Sequence, residues 1–243
     1  PTSAVFTFHE FVAPLLRRLA GLSAGDVRTV RAVAPMRIPS VPGRTEYTLV
    51  DLVNGGSGLA VYPLGSGSGS VTAFARAAGF IRIPANHEYV EEGTEVEVRL
   101  IDPELRSADL VAIGSQCIGL DDVLGLVAAE GFRVKSIPVG STAGLAAVAR
   151  GEGAVAGVHL LDSETGEYNT PFLPEGVRLV RGYGRRQGIV FRPDDPLADV
   201  VDDDEVFLAK LTERRMITRN PGSGTRILVD GMLAGSRPDG YLH

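Results

Sequence analysis

Hydroxyl residues recur beside glycines at three turns in the second half of the chain. These turns follow the apolar runs "LVAIG" and "SIPV" or lie within "NPGSGTR". Each turn precedes a helical pattern, so it presents unpaired backbone N–H groups and the positive end of a helix dipole, to which hydroxyls add neutral donors. Taken singly, each Ser or Thr is equally consistent with an ordinary helix N-cap. Their recurrence predicts a site for one small anion, and the residues concerned are Ser115, Gln116, Ser141, Thr142, Ser223, Gly224, Thr225 and Arg226.

A polar stretch that follows the next apolar run adds further candidates. His159, Tyr168 and Asn169 lie in "GVHLLDSETGEYN", and Arg186 lies in "GRRQG". Such side chains can ligate a metal, act as acid and base, or line a ligand cleft, and a guanidinium can hold an oxyanion through two hydrogen bonds. The spacing matches no zinc motif, and no Ser-His-Asp arrangement can be identified. We therefore predict no catalytic and no metal-binding residue, and we interpret the stretch as cleft lining or a capped polar loop.

The elements that must position these residues alternate between strands and helices. Strand patterns in "LVAIGS", "RVKSIPVGS" and "AVAGVHLL" are separated by helical patterns in "GLDDVLGLVAAEG" and "TAGLAAVARGE". A further strand, "GVRLVRGYGRRQGIVF", precedes an acidic helix at about 203 to 215 and a helix that ends near Met232. This βαβαβ order predicts a mainly parallel sheet with helices on its faces. Ligands bind such sheets outside the carboxyl ends of the strands, where the three turns should converge.

The first hundred residues follow a different pattern. "VFTFHEFVAPLLRRLAGL" has apolar residues at three- and four-residue steps and ends at Gly21, which predicts an amphipathic helix with a glycine C-cap. From residue 28 to 101 the period is two, and tight glycine turns separate short strands. This pattern predicts a small antiparallel barrel or sandwich, and we expect a closed or nearly closed barrel. The tract "GSGSGS" has strand-like residues on both sides, so it lies inside this unit and is not a linker between domains.

Composition narrows the class of protein. The 243 residues are 44% hydrophobic and carry a net charge of -6, without a basic block that would favour nucleic acid or an anionic membrane surface. No apolar run approaches the length of a membrane span. A single cysteine excludes an internal disulfide framework and is typical of a reducing cytoplasm. Since the chain opens without methionine, we expect it to be part of a longer protein.

These motifs carry a resemblance to known families. "PGR" at 42 to 44, "PLGSGSGS" at 63 to 70 and "GTEVEV" at 93 to 98 resemble the C-terminal β-barrel domain of the MoeA/gephyrin family, whose members insert molybdenum during molybdenum-cofactor biosynthesis. The opening helix is similar to the last helix of that family's preceding catalytic domain. "GSTAGLAAVARGE", "RRQG" and "RNPGSGTR" resemble the type II periplasmic-binding-protein-like α/β domain that some prokaryotic members carry behind the barrel. The expected domains are a terminal helix at 1–27, the barrel at 28–104 and the α/β domain at 105–243.

The resemblance implies a function and further site residues. The full-length protein would be a molybdopterin molybdotransferase that acts as a homodimer, while this chain lacks the catalytic domain. In the barrel, Arg44, Ser68, Gly69 and Ser70 would contact the pterin phosphate or molybdate beside the partner subunit's active-site cleft. No cofactor is expected to be bound permanently, and molybdopterin, molybdate or tungstate would be substrates or ligands. The binding-protein family normally continues beyond "GSRPDGYLH", so the second domain can be incomplete here.

Two other classes of function remain open at this stage. The chain could be a small-molecule sensor or binding module whose barrel serves only for dimerisation, and ligand identity would separate this class from a cofactor-pathway protein. A stand-alone hydrolase has little support, because no nucleophile and base can be paired from the sequence.

Overall fold

A computed structural model describes residues 2–23, 28–65, 71–101, 107–162, 164–184, 186–219, 223–233 and 238. Two compact units share the chain. The first comprises Pro1–Val111, Leu126–Lys135 and Arg150–Gly153, and the second comprises Ala112–Gly125, Ser136–Ala149 and Ala154–His243. The predicted domain boundary near residue 104 stays a prediction.

The opening helix is confirmed, and it consists of three consecutive helical segments. These are α1 (Thr2–Thr7), a π-helical segment (Phe8–Val12) and α2 (Ala13–Leu19). Gly21 has φ +71°, its N–H donates to the Arg18 carbonyl, and the N–H of Leu22 donates to that of Arg17. This pair of hydrogen bonds is a Schellman motif, which requires a positive φ that glycine adopts without strain.

Near the start of this helix, aromatic side chains pack against the barrel. The Phe6 ring lies 4.5 Å from the Tyr47 ring and 5.1 Å from the Phe80 ring, centroid to centroid. Glu10 forms an ion pair with Arg99. From Phe8 onward the large apolar side chains of the helix are exposed, and Leu19 retains 75% of its accessible surface.

The predicted barrel is present and closed. Five strands form it in the order β1-β4-β3-β5-β7, and β2 pairs with β6 in a separate two-stranded sheet. The strands are β1 (Thr29–Val33), β2 (Ile38–Pro39), β3 (Glu46–Gly55), β4 (Gly58–Pro63), β5 (Gly79–Ile83), β6 (Tyr89–Val90) and β7 (Glu95–Leu100). Alternate residues such as Val50, Leu52 and Val98 point into a buried core. One detail of the prediction is wrong: β1 and β4 run parallel, while the other barrel pairs are antiparallel.

The Gly-Ser tract falls between two barrel strands, as its flanks predicted. Its residues 66 to 70 lie outside the described part of the chain. The residues after the tract were expected to form a strand. They form the short helix α3 (Val71–Arg76), which leads into β5. "VTAFAR" contains alanines and an arginine, which are strong helix formers, so local propensity favours the helix.

The α/β part begins with two strands and two helices that agree with the prediction. These are β8 (Leu110–Gly114), α4 (Ile118–Ala129), β9 (Val134–Pro138) and α5 (Ser141–Ala149). β8 and β9 form one sheet, in which the N–H of Val139 donates to the Gly114 carbonyl at 3.0 Å.

The next two predicted strands are corrected by the structure. "AVAGVHLL" forms no continuous strand: it makes a parallel bridge between Val155 and Ala112 and an antiparallel bridge between Leu161 and Tyr168. Between them, the Gly157 carbonyl accepts the N–H of Ser115. The described residues of "GVRLVRGYGRRQGIVF" contain no strand. Val180 and Val190 are 77% and 96% exposed, so the apolar alternation of this stretch finds no neighbouring strand to pack against.

The end of the chain forms a second small core. α6 (Asp204–Thr212) starts where the Asp203 side chain accepts the N–H of Val206, and α7 (Gly224–Met232) follows. Leu197, Leu211 and Leu233 are buried together, with Phe191 and Phe207 packed against them. Both predicted helices are therefore confirmed, although α6 ends three residues earlier than expected.

Candidate ligand-binding site

Two of the three predicted turns meet at His159. The Ser141 hydroxyl, at the first residue of α5, lies 3.1 Å from Nδ1 of His159 and accepts the backbone N–H of the same residue at 3.2 Å. A Cβ built at Gly224, the first residue of α7, would overlap the His159 carbonyl oxygen and lie 2.8 Å from its Cδ2. The starts of α5 and α7 thus lie against one imidazole, and only glycine allows this approach.

The turn after β8 lies next to the start of α5 and to the segment that carries His159. A Cβ at Gly114 would lie 2.8 Å from both the N and the O of Gly157, and a Cβ at Gly144 would lie 2.5 Å from the Gly114 Cα. Glycines at positions 114, 144 and 157 let the backbones of β8, α5 and the segment after Val155 approach one another closely. Ser115 follows Gly114 directly and is held by its N–H bond to the Gly157 carbonyl at 2.9 Å.

The Ser141–His159 contact is a nucleophile and base within reach, which the sequence did not reveal. Ser141 is only 2% exposed, and its oxygen already accepts a backbone N–H. A substrate carbonyl cannot approach an oxygen buried in this way, so the arrangement fixes the imidazole and does not form an activated nucleophile. What the site can do chemically is present the first-turn N–H groups of two helices beside an oriented imidazole.

Side chains around the start of α4 occupy the neighbouring turn. Nε2 of Gln116 donates to the Asp121 carboxylate at 3.0 Å, so the Gln116 amide is held against the start of α4. The Cys117 sulfur lies against the Tyr183 hydroxyl, and a Cβ at Gly119 would lie 2.7 Å from Cζ of the Tyr183 ring. Tyr183 therefore covers the first turn of α4, a contact that no local sequence pattern indicates.

Arg226 is placed differently from a free anion-binding arginine. It is 6% exposed, and its Nε lies 2.8 Å and 2.9 Å from the two carboxylate oxygens of Asp230, one helical turn later. Its Nη1 donates to the Arg219 carbonyl at 3.2 Å. Ser223 occupies the N-cap position of α7 without a side-chain capping bond. Part of the Arg226 charge is therefore balanced by the Asp230 carboxylate within α7. Residues 220 to 222 lie outside the described residues.

The polar stretch after His159 is a self-bonded loop. Asn169 has φ +63°, and its side chain accepts the N–H of Leu160 at 2.8 Å. Asp162 accepts the N–H groups of Glu164 and Thr165, while Tyr168 is 48% exposed. This arrangement matches the predicted capped polar loop.

Several predicted residues do not join the His159 cluster. Among the described residues, Thr142 and Arg186 are exposed and form no hydrogen bond with it, and Thr225 lies in the first turn of α7. In the barrel, Arg44 is exposed after Gly43, which has φ +87°. Ser68, Gly69 and Ser70 fall outside the described residues, so their predicted role stays a prediction.

Neither a metal-binding cluster nor a membrane-spanning helix is found among the described residues. No group of three or more His, Cys, Asp or Glu side chains is arranged to hold a metal ion there. In that same part of the chain, each helix is too short or too polar to cross a bilayer.

Two buried carboxylates, Asp51 and Glu152, lie at the β3–β4 hairpin with cationic partners, which sequence reasoning missed. Asp51 on β3, 3% exposed, pairs with Lys135 at 2.6 Å, and Lys135 also donates to the Leu52 carbonyl at 2.8 Å. Together with Tyr62, Arg150 and Glu152, these two residues form a group that we call the hairpin joint.

On β4, the buried Tyr62 hydroxyl bonds to the Glu152 carboxylate, which also accepts Nε and Nη2 of Arg150 at 2.7 Å and 2.8 Å. Burial and the neighbouring Glu152 carboxylate raise the pKa of Tyr62 above its usual range. The hydrogen bond to the same carboxylate raises the pKa of Arg150. Tyr62 therefore remains a neutral donor between the strand and the ion pair.

Comparison with known proteins identifies both parts of the chain. Residues 31–101 match the family of the MoeA C-terminal region (domain IV), and residues 125–241 match a PBP superfamily domain. The first range coincides with the closed barrel, and the second contains α5, His159 and α7. A comparison with curated protein sequences gave no match.

Solved structures with a similar segment come from two Pyrococcus species. Two are molybdopterin biosynthesis MoeA proteins from Pyrococcus horikoshii, with 36% and 27% identity over 43% and 41% of this chain and TM-scores of 0.35 and 0.34. The third is a molybdenum cofactor biosynthesis protein from Pyrococcus furiosus, with 29% identity over 41% of this chain and a TM-score of 0.36. The matches cover 25%, 25% and 35% of those chains, respectively.

Proposed function

We propose that this chain, which joins a MoeA C-terminal barrel to a PBP superfamily domain, takes part in molybdenum-cofactor biosynthesis as part of a molybdopterin molybdotransferase. The observation that carries the proposal is the match of residues 31–101 to the MoeA C-terminal region, since these residues build the closed barrel. The catalytic step itself belongs to the longer protein. Within this chain, the barrel is the part that connects it to that pathway.

The α/β domain would bind a small anionic ligand at the His159 cluster. Support comes from the meeting of two helix starts at one imidazole, because first-turn N–H groups and the helix dipole favour negative charge. Molybdate, tungstate and the phosphate of molybdopterin share this chemistry and would compete for the same donors. The His159 imidazole, oriented by the Ser141 hydroxyl, lies beside these donors.

The barrel would serve the site of a partner subunit. Arg44 is exposed at the tight turn that follows β2, which suits contact with a phosphate or oxyanion. Ser68, Gly69 and Ser70 would approach the same ligand through backbone N–H groups and small hydroxyls. This role requires a homodimer of the full-length protein and places the protein in the cytoplasm, where the cofactor pathway operates.

Calorimetry on the full-length protein tests the ligand role directly. Titration with molybdate, tungstate, sulfate and phosphate should give binding to at least one oxyanion, and a His159→Ala variant should bind it at least tenfold more weakly. Arg31→Ala is the matched control, because Arg31 lies on the barrel in an exposed pair with Glu95. If none of the four oxyanions binds, the same titration with molybdopterin decides whether the ligand is the pterin.

A genetic experiment tests the pathway. Deletion of the full-length gene from a cell without a paralogue should abolish molybdoenzyme activity, and the activity should return with the wild-type gene. Normal molybdoenzyme activity in the deletion strain would refute the proposed function, whatever the α/β domain binds.

A further inference from the structure

Residues 177 to 192 form an irregular segment that is anchored by side chains and not by its main chain. The Tyr183 ring covers the first turn of α4. Further along, Ile189 and Phe191 pack against the second small core. Tyr183 apart, no described residue from 178 to 191 forms a main-chain hydrogen bond. The segment is therefore held in place while most of its N–H and C=O groups have no partner among the described residues, as on the edge strand of a sheet.

Apolar side chains of this segment are exposed where no strand covers them. Val190 lies between the packed residues Ile189 and Phe191, yet 96% of its surface is accessible. Val180 is 77% exposed, and its neighbour Leu179 is exposed as well. Packed and exposed residues that alternate in this way are typical of a strand with one covered face. The unpaired main chain and the uncovered apolar side chains both suit the addition of a strand.

The charge of the segment determines which kind of strand it can receive. Residues 176 to 193 contain five arginines and neither Asp nor Glu, in a chain whose net charge is -6. Four of these arginines are described, and all four are exposed and form no ion pair with a described carboxylate: Arg178, Arg181, Arg186 and Arg192. The same segment of a second copy would bring like charges together, which disfavours self-pairing. A strand rich in Asp and Glu would compensate the arginines.

Nucleic acid is another polyanion that arginines recognise, but the other two features of the segment favour a peptide. A nucleic acid cannot form the ladder of main-chain hydrogen bonds that joins two β-strands. Val180 and Val190 also offer its bases no aromatic surface for stacking. The occupant that satisfies the main chain, the apolar side chains and the arginines together is an acidic peptide strand.

We propose that residues 177 to 192 are a docking edge for an acidic, extended segment of another protein, which adds to them as a β-strand. Asp or Glu side chains of that strand pair with the arginines, and apolar side chains between them cover Val180 and Val190. Because the ion pairs form at the surface, salt should weaken the complex. The docking edge uses none of the residues of the His159 cluster, so it does not depend on the proposed function.

Fluorescence anisotropy of a labelled peptide with the full-length protein tests the docking edge. The probe is a capped peptide of alternating Glu and Val residues, about ten residues long, which is the length of a long strand. Wild type should bind this peptide, and the same peptide with N-methyl groups on alternate residues should bind about tenfold more weakly, because it cannot donate to the docking edge. A peptide with Lys in place of Glu should not bind.

Charge-matched variants show whether the peptide binds at this segment. Arg178→Ser combined with Arg192→Ser should weaken binding about tenfold. Arg17→Ser combined with Arg18→Ser is the control, because it removes the same charge from exposed positions of the opening helix, and it should change binding less than about twofold. All four side chains are exposed, so neither variant should affect folding.

Several results would overturn the proposal. These are no binding of the Glu-Val peptide, equal binding of the N-methylated peptide, or equal effects of the two pairs of substitutions. Tighter binding of a single-stranded oligonucleotide of the same charge would make the segment a nucleic-acid site instead. Loss of self-association in the Arg178 and Arg192 variant would make it an interface between copies of this chain. Failure of the oxyanion and pterin titrations would refute the ligand site and would leave these outcomes unaffected.

Discussion

Nδ1 of His159 lies 3.1 Å from the Ser141 hydroxyl, although the two residues are 18 positions apart and belong to different turns. The same hydroxyl accepts the His159 backbone N–H, so one buried side chain fixes both the main chain and the ring of its partner. The arrangement of His159 against the start of α5 therefore depends on Ser141.

Replacement of Ser141 by Ala should destabilise the α/β part of the chain by about 1–3 kcal/mol. The backbone N–H of His159 would lose its acceptor, and Nδ1 of His159 would lose its hydrogen-bond partner. Chemical denaturation measures the change. The neighbouring Thr142→Ala is the control, since Thr142 is exposed, and it should cost about 0.5 kcal/mol or less. Equal effects of the two substitutions would show that the Ser141 bond contributes nothing.

Substitutions at Arg226 and Asp230 separate a structural from a ligand-binding role of the guanidinium. If Arg226 contacts an oxyanion, Arg226→Ala should weaken binding about ten- to a hundredfold, while Asp230→Asn should strengthen it by removing a competing negative charge. Titration calorimetry with the oxyanion that binds wild type gives both values. If both variants bind like wild type, Arg226 does not contact the oxyanion.

Lys135→Met should destabilise the barrel by about 3–5 kcal/mol, because it leaves the buried Asp51 carboxylate without its cation. Adding Asp51→Asn to this variant should recover part of the loss, since the uncompensated charge is then removed. Urea denaturation provides the comparison. Arg31→Met breaks the exposed pair with Glu95 and should change stability little. A cost at Lys135 as small as at Arg31 would contradict the argument.

Tyr62 should make stability fall at high pH. An unfolded tyrosine ionises near pH 10, whereas the raised pKa of Tyr62 keeps the folded form protonated above that value. Its contribution to the free energy of unfolding is therefore complete below about pH 10 and declines as pH rises further. Denaturation from pH 8 to 11 should show a steeper decline for wild type than for Tyr62→Phe.

Phe6→Ala should destabilise the docked opening helix by about 1–3 kcal/mol through loss of the contacts with Tyr47 and Phe80. Leu19→Ala, at a side chain that is 75% exposed, should cost about 0.5 kcal/mol or less. Limited proteolysis of the helix reports the difference. Equal cleavage rates would mean that the aromatic contacts do not hold the helix.

Elements whose pattern is local were predicted from the sequence. "TEVEVRLI" alternates polar and apolar residues, and β7 places Val98 and Leu100 in the barrel core. The same reasoning failed for "GVRLVRGYGRRQGIVF", because alternation identifies a segment able to form a strand but not a partner to receive it. Val190 is consequently almost fully exposed where the pattern indicated a buried face.

The arrangement of the candidate site residues could be predicted from the sequence only in part. Sheet topology brings strand ends together, so the meeting of α5 and α7 near His159 could be expected. The Arg226–Asp230 pair has the i, i+4 spacing of a helical ion pair and was recognisable in the sequence. Asp51 and Lys135 are 84 residues apart, and no local signal connects them, so only the folded chain reveals the hairpin joint.

The hairpin joint also bears on how such a gene can recombine. Asp51 and Tyr62 lie on barrel strands, while Lys135, Arg150 and Glu152 lie on segments that follow β8. A recombination event that exchanged only the barrel for a distant relative's would bring together an acid without its lysine or a carboxylate without its tyrosine. Such hybrids would start with a folding defect, because a buried carboxylate or hydroxyl would lack its partner.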